Sequence, residues 1–237
     1  MIALAGAAAL AGALVQSATG FGFALILSPA LFAVLDPYEA ITTMLLLGPP
    51  LNALVLHDSA AGDARLRMLA PVLVAAVPGL VLGVIALELL SKPVLQVAVG
   101  AAVVAAALWQ IRHHGGRIAA WAAGLASGAL TTSISVSGPP VVLWLEGRGV
   151  TPGEFRATLA ASFLALNVTG GAIVVAAGGI GAVRLDVVLP LLGLCLIGNY
   201  AGNHAHRRLA GPRFRLVALA LVACTGVASF VAGLTSL

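Results

Sequence analysis

Gly128-Ala-Leu-Thr-Thr-Ser-Ile-Ser-Val-Ser-Gly-Pro-Pro140 is a polar run inside an apolar sequence. It carries five hydroxyls, on Thr131, Thr132, Ser133, Ser135 and Ser137, and closes on Gly138-Pro139-Pro140. That close predicts one helix stopping and another starting, because proline fits the first helical turn, where its missing N–H has no partner to lose. Ser135 and Ser137 are the expected caps of the second helix. An exposed helix start presents free N–H groups and partial positive charge, which suit an anion. A sister stretch, Gln16-Ser-Ala-Thr-Gly-Phe-Gly22 running on to Pro29, interrupts the first apolar segment in the same manner.

Composition sets the class. Of 237 residues, 61% are hydrophobic and only 8% charged, against about 25% charged in soluble domains. The whole of 1–237 therefore reads as one transmembrane domain embedded in a lipid bilayer. The net charge of +4 does not point to nucleic acid, since the basic residues fall in short loops between apolar spans, where they set topology. Cys195 and Cys224 lie inside apolar spans and read as small buried hydrophobes, with no zinc or redox spacing. The apolar Ile2–Val15 lacks the preceding Lys or Arg of a signal peptide and is expected to be retained. No metal site and no cofactor are expected. No Asp, Glu or Lys falls clearly at mid-membrane, so an obvious proton relay or cation site is missing.

Ile2–Leu35, at 34 residues, is long for one span and short for two, since each needs about 20. A hairpin of two short helices fits. Asp36-Pro-Tyr-Glu39 reads as a loop, Tyr38–Leu56 as a span kinked at Gly48-Pro49-Pro50, and His57–Arg67 as a polar loop. Leu66–Leu90 and Val94–Ile111 are spans joined by a turn at Ser91-Lys-Pro93, and residues 112–117 form the central linker. Ala119–Leu145 is the second broken segment and Glu146–Phe155 a loop. Arg156–Ala177, Leu185–Asn203 and Leu216–Leu234 are spans, separated by loops at Gly178–Arg184 and His204–Arg215.

The two parts, about 1–112 and 117–237, read as an internal repeat. Pro29 matches Pro139 at a shift of 110. Pro37, Glu39 and Asn52 match Pro152, Glu154 and Asn167 at 115. Arg65, Leu66, Pro71, Gly79, Gly83 and Pro93 match Arg184, Leu185, Pro190, Gly198, Gly202 and Pro212 at 119. Charge then tests the topology. If each broken segment re-enters and leaves by the same face, ten arginines (65, 67, 112, 117, 148, 156, 207, 208, 213 and 215) share one face, with only Lys92 and Arg184 on the other. If each crosses once, the split becomes five against seven. The first arrangement obeys the positive-inside rule. The expected fold is thus an all-α polytopic membrane protein of two inverted repeats, each a re-entrant helical hairpin plus three transmembrane helices, a plan typical of secondary transporters.

The sequence resembles the sulfite exporter TauE/SafE family of bacterial membrane permeases over nearly its whole length. The resemblance rests on Ala18-Thr-Gly-Phe-Gly-Phe-Ala-Leu-Ile-Leu-Ser-Pro-Ala-Leu31, on Ser137-Gly-Pro-Pro-Val141, and on Pro152-Gly-Glu-Phe-Arg-Ala-Thr158 leading into a span with Asn167. The first motif, Gly20-Phe-Gly22-Phe, is less dense in glycine than in many members. The resemblance implies export or exchange of small inorganic or organic sulfur-containing anions, such as sulfite or organosulfonates, across the bacterial cytoplasmic membrane. Under the hairpin topology both termini face the periplasm. A channel-like anion pore is the alternative. An intramembrane serine hydrolase would need a histidine base near Ser135 or Ser137, and every histidine lies in or beside a loop.

The expected substrate-binding residues are Gln16, Ser17, Thr19, Gly20, Gly22, Asn52, Thr131, Thr132, Ser133, Ser135, Ser137, Gly138 and Asn167. The bland alternatives are that the hydroxyls bond carbonyls of their own helix, that the glycines serve helix packing and that the asparagines join helices. Arg156, near a span start, is expected to snorkel to the surface; drawing anions to the entrance is its sharper role. His204 and His206, with Arg207 and Arg208, read as a solvated loop.

Overall fold

The computed structural model describes residues 2–59, 64–112 and 118–209, together with 227, 230, 231, 234 and 235. These residues are helical apart from short connections. Most of the last predicted span, with Cys224 and Pro212, lies outside them.

The first broken segment is two helices, α1 (Ile2–Thr19) and α2 (Phe23–Val34). Gly20 and Gly22 separate them with φ of 90° and 115°, values that glycine reaches without steric penalty. The chain folds back here. A Cβ on Gly12 would meet the Phe23 carbonyl at 3.0 Å, and one on Gly22 would meet the Val15 side chain at 2.8 Å. The Phe23 N–H donates to Gln16 Oε1 at 3.2 Å, so α2 starts beside the last turns of α1. The second broken segment is α6 (Ala120–Ile134) and α7 (Gly138–Glu146).

Between them run α3 (Pro37–Asp58), α4 (Leu66–Leu89) and α5 (Lys92–Arg112); after them come α8 (Pro152–Ala176), a single 3-10 turn at Gly179–Ala182, and α9 (Leu185–Leu209). Four of these helices hold stretches long and apolar enough to cross a bilayer: Pro37–Asp58, Leu66–Leu89, Pro152–Ala176 and Leu185–His204.

Several expected loops are helix starts or ends instead. Asp36 and Thr151 cap α3 and α8 in matching capping boxes, with Glu39 and Glu154 reaching back to the cap N–H and proline in the first turn. Asp-Pro-x-Glu and Thr-Pro-x-Glu carry that signature, so Asp36–Glu39 is not a free loop and α8 begins four residues before Arg156. The basic stretch from His204 is also not a loop at first: α9 continues to Leu209, because no breaker occurs before Gly211-Pro212. At Gly48-Pro49-Pro50, α3 runs through without a break, though the two prolines leave the Leu45 and Leu46 carbonyls without their usual helical donors.

Helix pairing crosses between the two parts of the chain. The largest interfaces are α4 with α6 and α1 with α9, followed by α3 with α8. Glycine sets the closeness. A Cβ on Gly79 or Gly83 of α4 would overlap the carbonyls of Leu125 or Ala129 in α6, and one on Gly198 or Gly202 of α9 would overlap those of Leu10 or Leu14 in α1. Both pairs have the four-residue spacing that brings helices together in lipid. These contacts put Leu10 and Leu14 in the places of Leu125 and Ala129, a shift of 115. Pro29, midway along α2, and Pro139, in the first turn of α7, do not hold equivalent positions, so the shift of 110 does not describe the helices.

Charges sort to the two ends. At the start of α3, Arg184 bonds Glu39 at 3.2 Å and Asp186 at 2.7 Å, Lys92 approaches Asp36 at 3.6 Å, and Tyr38 donates to Glu88 at 3.2 Å. The bonds to Asp186 and Glu39 raise the Arg184 pKa above its ordinary value, so the group stays charged at any working pH. At the opposite end, where α4 and α8 begin, Arg65 pairs with Glu154. Arg65, Arg67 and Arg148 there line an open cavity of about 530 Å³ with Glu154, and Arg148 lies 4.4 Å from the Trp144 ring.

Candidate functional site

Both breaks meet at one small cavity. Its walls are Gln16, Phe21, Gly22, Phe23, Ala24 and Leu25 from the first break, Ser135, Ser137 and Gly138 from the second, Met44, Gly48 and Asn52 from α3, and Phe163 and Asn167 from α8. The volume is about 30 Å³, against roughly 300–1,000 Å³ for pockets that hold drug-sized ligands. That is room for about two waters. No charged side chain lines it among the described residues.

The amides are held from several elements. Gln16 Nε2 donates to Asn52 Oδ1 at 2.7 Å, and Asn52 Nδ2 donates to the Gly48 carbonyl at 2.9 Å. Gln16 thereby ties the end of α1, the start of α2 and α3 at one point. The Asn167 amide lies against Gly48, where a Cβ would collide with it. Asn52 and Asn167 thus reach the cavity from opposite sides, and Gly48 is the space between them. Ser28 Oγ donates to the Ile134 carbonyl at 2.6 Å, which fixes α2 to the last residue of α6.

Ser135 is the unusual residue. It ends α6 in the left-handed region, with φ 58° and ψ 27°, and is the one non-glycine residue with positive φ among those described. Its N–H bonds the Thr131 carbonyl and the Val136 N–H bonds the Leu130 carbonyl, both at 3.1 Å, an αL-type ending normally made by glycine. The Ser135 hydroxyl is buried and has no hydrogen-bond partner among the described residues. Ser135 therefore closes α6 rather than capping α7. Ser137 stands at the cap position of α7 but its side chain makes no capping bond, since the residues a cap would bond are Pro139 and Pro140, which carry no N–H; of the first turn only Gly138 has one.

Of the expected site residues, the structure brings Gln16, Gly22, Asn52, Ser135, Ser137, Gly138 and Asn167 together and leaves the rest outside. Thr131 and Ser133 donate to carbonyls one turn back in α6, each at 2.6 Å, and Thr132 donates across to Leu80 of α4 at 2.6 Å. Ser17 donates to Asn199 of α9. The Thr19 hydroxyl stays with Val15 and Phe21 carbonyls at 2.9 and 2.7 Å. Gly20 packs on Arg156, whose Cα and Cγ would lie 3.2 Å from a Cβ there. Sequence reasoning passed over Phe163, which stands one helical turn before Asn167 and so on the same face. It also passed over Gly48, one turn before Asn52, and the phenylalanines interleaved with Gly20 and Gly22.

Arg156 departs from its expected role. It is only 7% exposed, so its guanidinium does not snorkel out. Its one hydrogen bond among the described residues is long, from Nη2 to Asn203 Oδ1 at 3.5 Å, and its Nε has no partner.

Long apolar helices, two helix breaks and between them a small chamber lined by amides, hydroxyls and apolar side chains define a polytopic membrane protein of the transporter class. The model of the family described as Sulfite exporter TauE/SafE matches residues 4–229. The chain belongs to that family, whose members are anion transporters rather than enzymes. No curated protein and no solved structure matches it.

Proposed function

We propose that this protein is a secondary transporter, working as an exporter, that binds sulfite or a small organosulfonate in the chamber between the two breaks. The Gly138 N–H at the start of α7, the hydroxyls of Ser135 and Ser137 and the amides of Gln16, Asn52 and Asn167 recognise the oxyanion. The Ser135 hydroxyl is the observation that carries this reading: buried, without a partner and at a left-handed turn on the chamber wall. A buried polar group left unsatisfied costs about 1–3 kcal/mol, and an oxyanion supplies the acceptor. Strained backbone of this kind clusters at ligand sites. Neutral donors without a fixed cation suit modest binding with little discrimination between anions of similar shape.

The fold behind it is two inverted repeats in the bacterial cytoplasmic membrane, with the arginine-rich end in the cytoplasm and both termini in the periplasm. Reciprocal contacts support the repeat. Glu39 pairs with Arg184 and Glu154 with Arg65, residues that match at shifts of 115 and 119. Asn52 and Asn167 face one chamber.

Proteoliposome uptake and efflux of sulfite, thiosulfate, sulfoacetate and sulfate, with and without a pH gradient, tests the reading. Sulfite or a sulfonate should move, and S135A/S137A should slow it roughly tenfold, the effect of about 1.4 kcal/mol. Wild-type rates in a well-expressed double variant would place the site elsewhere, and tight binding of an organic cation would contradict the class.

A further inference from the structure

We infer that Arg156 is an intake site for the anion, standing between the arginine-lined cavity at the start of α8 and the chamber between the breaks. This rests on the transport reading above. A guanidinium taken out of water needs a charged or fully hydrogen-bonded partner. Among the described residues Arg156 has one long bond to a neutral amide and an Nε with none. Asp58 at the end of α3 bears on it electrostatically but forms no ion pair with it; all four ion pairs among the described residues lie elsewhere. An oxyanion matches the vacant side of the guanidinium, whose planar fork bonds two oxygens at once.

Position supports the role independently. Arg156 lies about half a turn deeper along α8 than Glu154, which lines the cavity with Arg65, Arg67 and Arg148, and on another face of the helix, so that it lines neither cavity itself. On its other side its stem packs against Gly20, two residues before Gly22 on the chamber wall. Polar groups continue along α9, where Asn199 accepts from Ser17 and Asn203 accepts from Arg156, one turn apart on one face. Three arginines concentrate anions at that end. Arg156 then offers a buried positive charge on the way in.

The test is sidedness. Radiolabelled sulfite is presented to right-side-out and to inverted membrane vesicles carrying wild type, R156M, R156K or S135A/S137A, with amounts of folded protein matched by thermal melting. R156M should raise half-saturation about tenfold when sulfite is presented at the end where α8 begins, and leave the opposite face near wild type. R156K should fall between, because lysine keeps the charge but not the fork. S135A/S137A should weaken both faces. Should R156M not reach the membrane, R156Q takes its place beside R156K. Unchanged half-saturation at both faces in folded R156M or R156Q overturns the intake site and leaves the transport reading standing. An equal rise at both faces also overturns it, placing Arg156 in the chamber or in the structural frame. Wild-type vesicles that move no sulfite or sulfonate in either orientation would overturn the transport reading itself, and the intake site with it.

Discussion

Ser135 holds two properties that substitution separates. Its backbone is left-handed, which a Cβ disfavours, and its hydroxyl is buried without a partner among the described residues, in a residue that lines the chamber. S135A removes the hydroxyl and keeps the disfavoured turn; S135G removes both. S135G should therefore melt higher than S135A by roughly 1 kcal/mol in stability, while both slow transport to a similar degree. Melting in detergent beside sulfite flux reads the two effects separately, and full transport by S135G would make the turn, not the hydroxyl, the reason for the residue. T131A and S133A should transport at near wild-type rates, because those hydroxyls bond their own helix. None of this division was legible in the run of five hydroxyls. Thr131, Thr132 and Ser133 follow one another round α6, so their positions mark no single face as the one that meets the chamber. The burial of Arg156 was equally hidden, since it depends on contact with Gly20, a residue distant in sequence.

At the scale of the helix, closeness is set by glycines pressed on backbone. G83A and G202A both place a methyl group on a neighbouring carbonyl, and backbone cannot turn aside as a side chain can. Each should destabilise by roughly 1–3 kcal/mol, measured by thermal melting, and the two effects should be alike because the contacts correspond. An innocuous G202A beside a damaging G83A would break that correspondence. Gly83 and Gly202, Arg65 and Arg184, and Asn52 and Asn167 were paired from sequence alone. The repeat that pairs them is a proposal, offered by the letters because few residue types can do these jobs in lipid. The capping boxes were equally present in the letters, at Asp36–Glu39 and Thr151–Glu154, but proline and acid were read as loop rather than as helix start. The end of α9 was misplaced for a related reason: a helix leaving the membrane can carry His and Arg onward in water without stopping.

Taken whole, the protein is polar at its two ends and nearly charge-free in its middle chamber. The end with Arg65, Arg67 and Arg148 is basic, and the end with Asp36, Glu39, Glu88 and Asp186 is acidic. The proposed orientation, which follows the positive-inside rule, has the basic end in the cytoplasm. In a variant with C195A and C224A, single cysteines at Arg67 and Arg148 should be shielded from a membrane-impermeant thiol reagent in intact cells, and one at Arg184 should be labelled. Labelling of the first two from outside would sink the orientation.

The crossed pairing of helices has a consequence for how the chain is made. The long partner of α1 is α9, which the ribosome produces only near the end of the chain. At about 5–20 residues per second, α1 waits on the order of ten seconds or more in the bilayer before Gly198 and Gly202 arrive to meet it. Gln16 finds Asn52 early in that interval, but Ser17 stays without Asn199 until late. Biogenesis therefore passes through a stage in which the first hairpin is inserted and only half engaged, with a polar face shown to lipid or to the insertion machinery. Damage to α9 should accordingly register first as degradation of an unfinished protein, before any finished one can be tested for transport.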